Sequence, residues 1–145
     1  MARRYWIGVG AAEHVAHAVA AGFCAFAHGR ESAVRKLSPG DRLVYYAPRT
    51  KLEGGEPVQR FVALGEVTGA EPYLEDGFWR RAAAYEDLGE AEVRPLLDRL
   101  SFVRRKDKWG MAFRRGQFEA PEADFALIRQ AMAAGPKGPG KAEAG

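Results

Sequence analysis

The chain has 145 residues, of which 47% are hydrophobic and 28% charged, a balance typical of a globular protein with a single core. Its formal charge of +3 is only mildly basic, so any argument for a polyanionic partner depends on where the charges cluster. A single cysteine excludes an internal disulfide and a cysteine-cluster metal site. The sequence shows no secretory signal and no apolar run near the roughly 18 residues of a membrane span, so we expect a cytoplasmic protein without a membrane partner.

β-rich runs and segments with helical periodicity follow one another along the chain, separated by turns that contain glycine or proline. In chain order, we predict a strand over residues 5–9, a helix over 11–21, an extended segment over 23–28, strands over 42–46, 61–68 and 78–85, a short helix that begins at Pro95, and a last helix that begins at Pro121. Phe125, Ile128 and Met132 are expected to form the buried stripe of that last helix.

Glycine and proline also mark where these elements end. Gly22 ends the first helix, and Pro48 is expected to end the strand that follows the Ser-Pro-Gly-Asp turn at 38–41. Residues 51–60 contain two glycines and a proline, so we expect a mobile hairpin loop there. Residues 133–145 are dominated by Gly, Pro, Ala and Lys and are predicted to be a disordered tail.

Five to six short strands with short helices between them predict an α+β fold built on a small, partly closed mixed barrel. The alternation of strand and helix is not sustained enough for a doubly wound parallel sheet. We therefore predict one folded domain over residues 1–132.

The most informative segment is residues 109–118, which combines three aromatic residues, two arginines and two glycines without helical spacing. Four more basic residues lie just before it, and Phe78-Trp79-Arg80-Arg81 repeats the aromatic-basic pattern. Flat rings beside guanidinium groups suit a partner with both π-faces and phosphates, which indicates nucleic acid or a nucleotide. A barrel strand whose Trp and Phe fill a core, with its arginines in water, explains the segment equally well.

The sequence gives little support for a dinucleotide-binding site, a metal site or a catalytic nucleophile. The glycines after the first strand lack the third glycine of a dinucleotide fingerprint, and His14 and His17 have no third metal ligand at a matching spacing. Cys24 and His28 lie about 13 Å apart along an extended segment, too far for a nucleophile and its base. We therefore predict no catalytic residue, no metal site and no cofactor.

Six segments, taken together and in this order, carry a family resemblance: YWIGV (5–9), GFCAFAHG (22–29), SPGDRLVYYAPR (38–49), FVALGEV (61–67), PLLDRLSF (95–102) and WGMAFRRGQF (109–118). Over residues 3–132 the chain resembles an EVE domain of the PUA-like superfamily, in its small bacterial UPF0310-type branch. The resemblance implies a mixed pseudo-barrel with a pocket between its strands. It also implies kinship with YTH domains, which bind methylated adenine in RNA, and recognition of modified bases in DNA or RNA.

Two positions depart from the YTH pattern. Gly10 and Ala11 match the loop that contacts the base in those relatives, but Ala11 stands where they carry Asn. Phe23 and Cys24 fall where they place a tryptophan of the methyl-binding cage. The cage is therefore not reproduced, and a modified base other than methyladenine is an equal alternative.

The resemblance and the aromatic-basic segments together predict a non-catalytic nucleic-acid-binding site. A flipped or unpaired base would stack on Trp109 or Tyr46, and His28 with nearby backbone groups would read its edge. The predicted pocket residues are Trp6, Gly10, Phe23, His28, Gly29, Tyr46, Pro48, Gly65, Trp109, Phe113 and Arg114. The predicted phosphate-binding rim consists of Arg49, Arg80, Arg81, Arg104, Arg105, Lys106 and Arg115.

Two alternatives stay open. Related ASCH domains include hydrolases of modified nucleosides that use Thr, Lys and Glu; Thr50, Lys51 and Glu53 are present here, but in a loop and not on a strand. The other alternative is a sensor or adaptor that binds a small molecule without nucleic acid.

Overall fold

The computed structural model describes residues 3–137. Eight strands, three α-helices and two 3₁₀ helices make up this part of the chain. In chain order they are β1 (Tyr5–Val9), α1 (Ala12–Ala21), β2 (Phe23–Cys24), α2 (Glu31–Arg35), β3 (Arg42–Arg49), β4 (Pro57–Val67), β5 (Tyr73–Glu75), β6 (Phe78–Tyr85), β7 (Ala91–Glu92), a first 3₁₀ helix (Arg94–Arg99), a second 3₁₀ helix (Lys106–Phe113), β8 (Gln117–Ala120) and α3 (Glu122–Ala134).

The strands form a curled half-barrel sheet in the order β2-β6-β4-β3-β1-β8, with β5 paired to β6 and β7 paired to β4. The pairing of β1 with β3 is parallel, and the other pairings are antiparallel. The register between β3 and β4 shifts after Tyr45 and again after Ala47. Such bulges increase local twist, which is how a short sheet curls. The α+β class with a partly closed mixed barrel is confirmed.

Strand β3 is the centre of the sheet and is buried on both of its faces. Leu43 and Tyr45 point into a core covered by α1 and α2, whereas Val44 and Tyr46 point into a core covered by α3 and the two 3₁₀ helices. All four side chains are at most 2% exposed. Because side chains alternate along a strand, a strand covered on both faces reads as a continuous apolar run. We name the two cores the α1 core and the α3 core.

The buried residues of α1 and α3 are apolar residues that recur on one face of each helix, apart from the buried Asp124 of α3. In α1, Val15 and Ala18 are buried, and Gly22 ends the helix in the left-handed conformation (φ 78°) with its N–H donated to the Ala18 carbonyl at 2.8 Å. In α3, the predicted stripe of Phe125, Ile128 and Met132 is buried in the α3 core. No helix within residues 3–137 is long and apolar enough to cross a membrane.

Several predicted boundaries differ from the structure. The extended segment predicted over 23–28 is a strand only at Phe23–Cys24, because residues 27–29 turn in the left-handed conformation. Strand β3 passes through Pro48, at the second register shift, where a missing N–H breaks no regular ladder. Residues 109–113 are 3₁₀-helical and not extended.

The predicted tail begins inside a helix. Helix α3 continues through Ala133 and Ala134, so the first two residues of the predicted 133–145 tail are helical. Residues 138–145 lie outside the described residues.

Asp41 ties the start of the chain to the turn before β3. Its carboxylate accepts hydrogen bonds from the Trp6 Nε1 at 3.0 Å, the Ser38 N–H at 3.0 Å and the Arg4 N–H at 3.1 Å. The side chain is only 2% exposed, so these donors have little access to water as a substitute partner.

We predict that Asp41→Ala lowers the free energy of unfolding by about 3 kcal/mol, because it leaves the buried indole N–H and two backbone N–H groups without an acceptor. Urea unfolding followed by circular dichroism measures the loss. Asp107→Ala is the matched control, since that carboxylate is 65% exposed and pairs only with exposed Arg105, and it should cost less than about 1 kcal/mol. Equal losses in the two variants would contradict the role of Asp41.

Candidate functional site

A cavity of about 430 Å³ lies where the ends of β1 and β3 meet the loop after β2 and the segment after the second 3₁₀ helix. This volume is within the range of small-molecule pockets. The residues that line it are Val9, Gly10, Ala11, His14, Ala25, Phe26, Ala27, His28, Gly29, Pro48, Arg49, Lys51, Leu52, Phe78, Phe113, Arg114 and Gly116.

Three phenylalanines give the cavity its apolar surface, and two of them rest on the tyrosines of β3. Phe26 stacks on Tyr45 with ring centroids 5.2 Å apart, and Phe113 stacks on Tyr46 at 4.1 Å. Both phenylalanines are nearly fully buried, whereas Phe78 is 45% exposed. Phe78 is therefore the ring among the three that has a free face for a ligand.

Two glycines make room for these rings. A Cβ at Gly8 would lie 2.2 Å from Cε1 of Phe26, and a Cβ at Gly29 would lie 2.2 Å from Cδ1 of Phe78. Phe78 thus lies directly against the backbone of Gly29, and the Trp79 N–H donates to the Gly29 carbonyl at 2.9 Å. Glycine at both positions is a packing requirement of the cavity.

We name residues 25–30 the 25–30 loop. Tyr45 of β3 anchors the start of this loop through hydrogen bonds. Its buried hydroxyl donates to the Ala25 carbonyl at 2.8 Å and accepts from the Ala25 N–H at 3.0 Å. Burial raises the pKa of Tyr45 well above its ordinary value, so the hydroxyl keeps its proton for the first of these bonds. A second tyrosine, Tyr85, donates to the Phe23 carbonyl at 2.8 Å and fixes the strand that leads into the loop.

Three successive residues of the 25–30 loop adopt the left-handed conformation: Ala27 (φ 52°), His28 (φ 61°) and Gly29 (φ 79°). This conformation is unfavourable for residues with a Cβ and occurs where the surrounding structure imposes it. The N–H groups of Gly29 and Arg30 both donate to the Phe26 carbonyl. The N–H groups of Ala27 and His28 have no hydrogen-bond partner within residues 3–137.

The polar lining of the cavity is basic. His14, His28, Arg49, Lys51 and Arg114 contribute to it, and no Asp or Glu is among the described residues that line it. Desolvation lowers the pKa of His14, with further lowering from the charges of His17 and Arg80, so His14 is neutral at pH 7 and can donate or accept a hydrogen bond. The site favours a ligand that has an apolar flat part and negative charge near its edge.

Seven of the residues predicted from the sequence do line this cavity. Six belong to the predicted pocket and one to the predicted rim: Gly10, His28, Gly29, Pro48, Phe113, Arg114 and Arg49. That they bind a ligand stays a prediction.

Five predicted pocket residues lie elsewhere, because each fills one of the cores or packs between strands. Trp6 and Phe23 are buried, the first bonded to Asp41 and the second beneath the guanidinium of Arg80. Tyr46 lies behind Phe113 in the α3 core, and a Cβ at Gly65 would lie 2.5 Å from the Ala84 carbonyl of β6. None of them lines this cavity.

The fifth of these residues is Trp109, the predicted stacking wall, which does not line the cavity. Its ring lies edge-on to Tyr46 and Phe113, with centroids 6.5 and 6.3 Å away, and the guanidinium of Arg94 covers it at 5.3 Å. It packs at the margin of the α3 core. Between Trp109 and Phe113, it is Phe113 that reaches the cavity.

The predicted phosphate rim needs larger corrections. Arg81 is 4% exposed and donates to four carbonyls, those of Val34, Leu37, Gly69 and Ala70. Arg80 is 8% exposed, pairs with Glu75 at 2.7 Å and stacks on Phe23. The donors of Arg81 are used inside the fold, and Arg80 is buried with its guanidinium paired to Glu75, although its Nε has no hydrogen-bond partner within residues 3–137.

The remaining predicted rim residues lie outside the cavity lining. The Lys106 ammonium donates to the carbonyls of Leu97, Leu100 and Val103, so it closes the first 3₁₀ helix and its following turn. Arg105 pairs with Asp107, Arg115 covers the ring of Phe118 at 4.7 Å, and Arg104 is exposed.

Sequence reasoning missed several lining residues, of which Phe78, Leu52 and His14 carry the most chemistry. Phe78 belongs to the aromatic-basic segment 78–81, of which only the two arginines were predicted to contact a ligand. The signal that could have identified Phe78 is the Asp76-Gly77 turn just before it. This turn places Phe78 at the start of β6, at the end of the sheet where the cavity opens.

The half-barrel sheet with short helices on its faces and a cavity beside its central strand defines a PUA-like domain, which confirms the predicted fold. The chain belongs to the EVE domain family, whose pattern matches residues 4–131.

Relatives of known sequence span most of the chain. A UPF0310 protein from Mesorhizobium japonicum is 42% identical over 90% of this chain and 92% of its own length. A UPF0310 protein from Mycolicibacterium vanbaalenii is 40% identical over 88% and 91%, and the UPF0310 protein YdcG from Bacillus subtilis is 34% identical over 91% and 94%. The predicted UPF0310 branch is confirmed.

Solved structures show the same fold at low sequence identity. A hypothetical protein from Leishmania major aligns with a TM-score of 0.57 at 15% identity, covering 89% of this chain and 94% of its own. Rpa0253 from Rhodopseudomonas palustris aligns with a TM-score of 0.56 at 17% identity, covering 90% and 94%.

We predict that Gly29→Ala destabilises the fold by about 1–3 kcal/mol more than Gly77→Ala. The two glycines have nearly the same φ, 79° and 80°, so the backbone cost is matched, but a Cβ at Gly77 meets nothing within 4 Å whereas one at Gly29 meets Phe78. Urea unfolding of both variants gives the difference. In a Phe78→Ala background the difference should shrink, because the ring contacts are lost while the Cβ of residue 78, 2.8 Å from the added Cβ, remains. An unchanged difference there would contradict the packing argument.

Proposed function

We propose that this domain binds nucleic acid without catalysis and takes one base, in DNA or RNA and carrying a modification, into the cavity. The observation that carries the proposal is the composition of the cavity: three phenylalanines contribute to its apolar surface, and three cationic side chains, two histidines and no described carboxylate contribute to its polar surface. A base has a flat face for the first and adjacent phosphates for the second.

The stacking surface is Phe78. Its ring lies against Gly29, it lines the cavity and it is 45% exposed, whereas Phe26 and Phe113 already stack on tyrosines. A fixed ring with a free face offers a base stacking energy of about 1–3 kcal/mol. Phe78 therefore replaces Trp109 as the proposed wall.

Groups that read the edge of the base come from the 25–30 loop and from α1. The free N–H groups of Ala27 and His28 would donate to base carbonyl or ring nitrogen acceptors. His14 can serve as donor or acceptor, since its lowered pKa keeps it neutral at pH 7. Backbone donors at a fixed position select by the acceptors that a base presents, which is how a modification on that edge would be detected.

The phosphates would contact Lys51 and Arg114, which line the mouth and are exposed. Neither side chain has an ion-pair partner within residues 3–137, whereas Arg80 pairs with Glu75 and Arg81 donates to backbone carbonyls. Arg49 also lines the mouth, where its guanidinium donates to the Gly55 carbonyl.

The structure offers less to the hydrolase alternative. Of Thr50, Lys51 and Glu53, only Lys51 lines the cavity, and the hydroxyl of Thr50 accepts the Glu56 N–H at 3.0 Å. Acid–base catalysis on a nucleoside needs a positioned carboxylate or equivalent group beside the reacting atom. Non-catalytic binding is therefore the function that the cavity supports best.

We predict that one modified oligonucleotide in a panel of single- and double-stranded DNA and RNA binds more tightly than its unmodified counterpart, and that Phe78→Ala weakens this binding about tenfold or more. Fluorescence anisotropy measures the dissociation constants. Phe78→Trp should retain binding. Tyr73→Ala is the control, since Tyr73 is an exposed aromatic on β5 that does not line the cavity.

Two outcomes would count against this proposal. If no modified oligonucleotide is preferred over the unmodified one, base recognition fails. If Phe78→Ala and Tyr73→Ala weaken binding equally, the cavity is not where the base binds.

We predict that affinity falls with salt and that Arg114→Ala reduces the slope of log K against log salt concentration by roughly 0.7–0.9, the loss of about one phosphate contact. Arg35→Ala should leave the slope unchanged, because Arg35 pairs with Glu31 on α2 and lies outside the lining. Titrations at several salt concentrations give both slopes. Salt-independent binding would instead favour a free nucleoside or another small molecule.

A further inference from the structure

Leu52 is the most exposed of the large hydrophobic side chains in residues 3–137, at 73%, and it lies at the mouth of the cavity. A single exposed leucine is ordinary on a protein surface. What distinguishes this one is the loop that carries it, residues 50–56, which we name the 50–56 loop.

The 50–56 loop is closed and anchored by its own hydrogen bonds. The Thr50 N–H donates to the Glu56 carbonyl at 2.9 Å, and the Glu56 N–H donates to the Thr50 hydroxyl at 3.0 Å. The Thr50 carbonyl accepts from the Glu13 N–H of α1 at 3.0 Å. The loop that the sequence predicted to be mobile is thus tied at its base to the helix that borders the cavity.

Glycine allows this closure. A Cβ at Gly55 would lie 2.5 Å from both the Lys51 nitrogen and the Thr50 hydroxyl oxygen, so the two ends of the loop meet only because position 55 has no side chain. Gly54 takes the left-handed conformation (φ 72°) that turns the chain back. The result is an aliphatic side chain held in water beside the cavity instead of folded into it.

Taking a base into the cavity has a different consequence for each form of nucleic acid. In a single strand, extrusion of a base opens no gap in a base-paired stack. In a duplex it leaves a gap between stacked neighbours, and proteins that unstack duplexes fill such gaps with apolar side chains. A projecting leucine beside the cavity, with Lys51 next to it and Arg114 also at the mouth, has the position and the charge surroundings for that task.

We propose that Leu52 is a wedge that enters the stack as the base leaves it, so that the target of the domain is a duplex and not a single strand. This inference rests on the proposed function, since the wedge is useful only if the cavity takes a base. It adds the form of the nucleic acid and a residue that selects for that form.

The test compares one oligonucleotide in two forms, in which 2-aminopurine lies next to the modified base that binds most tightly in the panel above. It is used alone and annealed to its complement. Leu52→Ala should weaken duplex binding about tenfold more than it weakens single-strand binding. It should also reduce the rise in 2-aminopurine fluorescence that accompanies unstacking in the duplex. Leu74→Ala is the matched control, since Leu74 is a 57% exposed leucine outside the cavity lining.

The outcomes separate the two proposals. If Leu52→Ala weakens both forms equally, Leu52 covers the bound base and the wedge is wrong, while base binding stands. If it weakens neither form, or if the wild type prefers the single strand, the wedge is also wrong and the proposed function survives. If no strand in the panel binds in either form, both proposals fail. Leu52→Phe, which keeps an apolar wedge, should retain duplex binding.

Discussion

The burial of β3 on both faces is the constraint on which the rest of the molecule depends. Since adjacent side chains must enter different cores, Tyr45 and Tyr46 are directed to opposite sides, and each supports one ring of the cavity. Tyr45 also holds the backbone of Ala25 through its hydroxyl. The cavity is therefore shaped by the centre of the sheet, even though neither tyrosine touches it, and a change in the packing of β3 would alter two of its walls at once.

Much of the fold could be predicted because its signals are local. The apolar run of β3, the left-handed Gly22 and the stripe of Phe125, Ile128 and Met132 each act within a few residues. The resemblance to EVE domains added the order of the segments, and with it residues that do line the cavity, such as His28 and Gly29. Residue type and spacing alone would not have placed His28 and Gly29 in this site, because the sheet is what brings them to Pro48, Phe113 and Arg114.

The roles of the basic residues could not be predicted, because they depend on distant backbone. Arg81 and Arg114 both belong to Arg-Arg pairs that follow an aromatic residue. Arg81 is nevertheless buried against carbonyls of Val34 and Leu37, 47 and 44 positions away in the sequence, while Arg114 remains at the cavity. Nothing local distinguishes a guanidinium that satisfies carbonyls from one that stays exposed at the cavity. The same holds for Lys106, whose three acceptors arise from the shape of the preceding turn. The clustering of basic residues along the sequence therefore overstated the surface available for an anion.

The left-handed backbone at Ala27 and His28 has a consequence for how this chain balances stability against its cavity. An alanine in that conformation costs roughly 1–2 kcal/mol that glycine would not, and the chain places glycine at the next position, Gly29, but not at these two. A sequence optimised for folding alone would carry glycine at position 27 and gain that energy. It would also acquire a wall free to relax when the cavity is empty. Alanine has fewer backbone conformations open to it than glycine, so more of the cost of ordering this wall is met during folding and less would be left for any binding step.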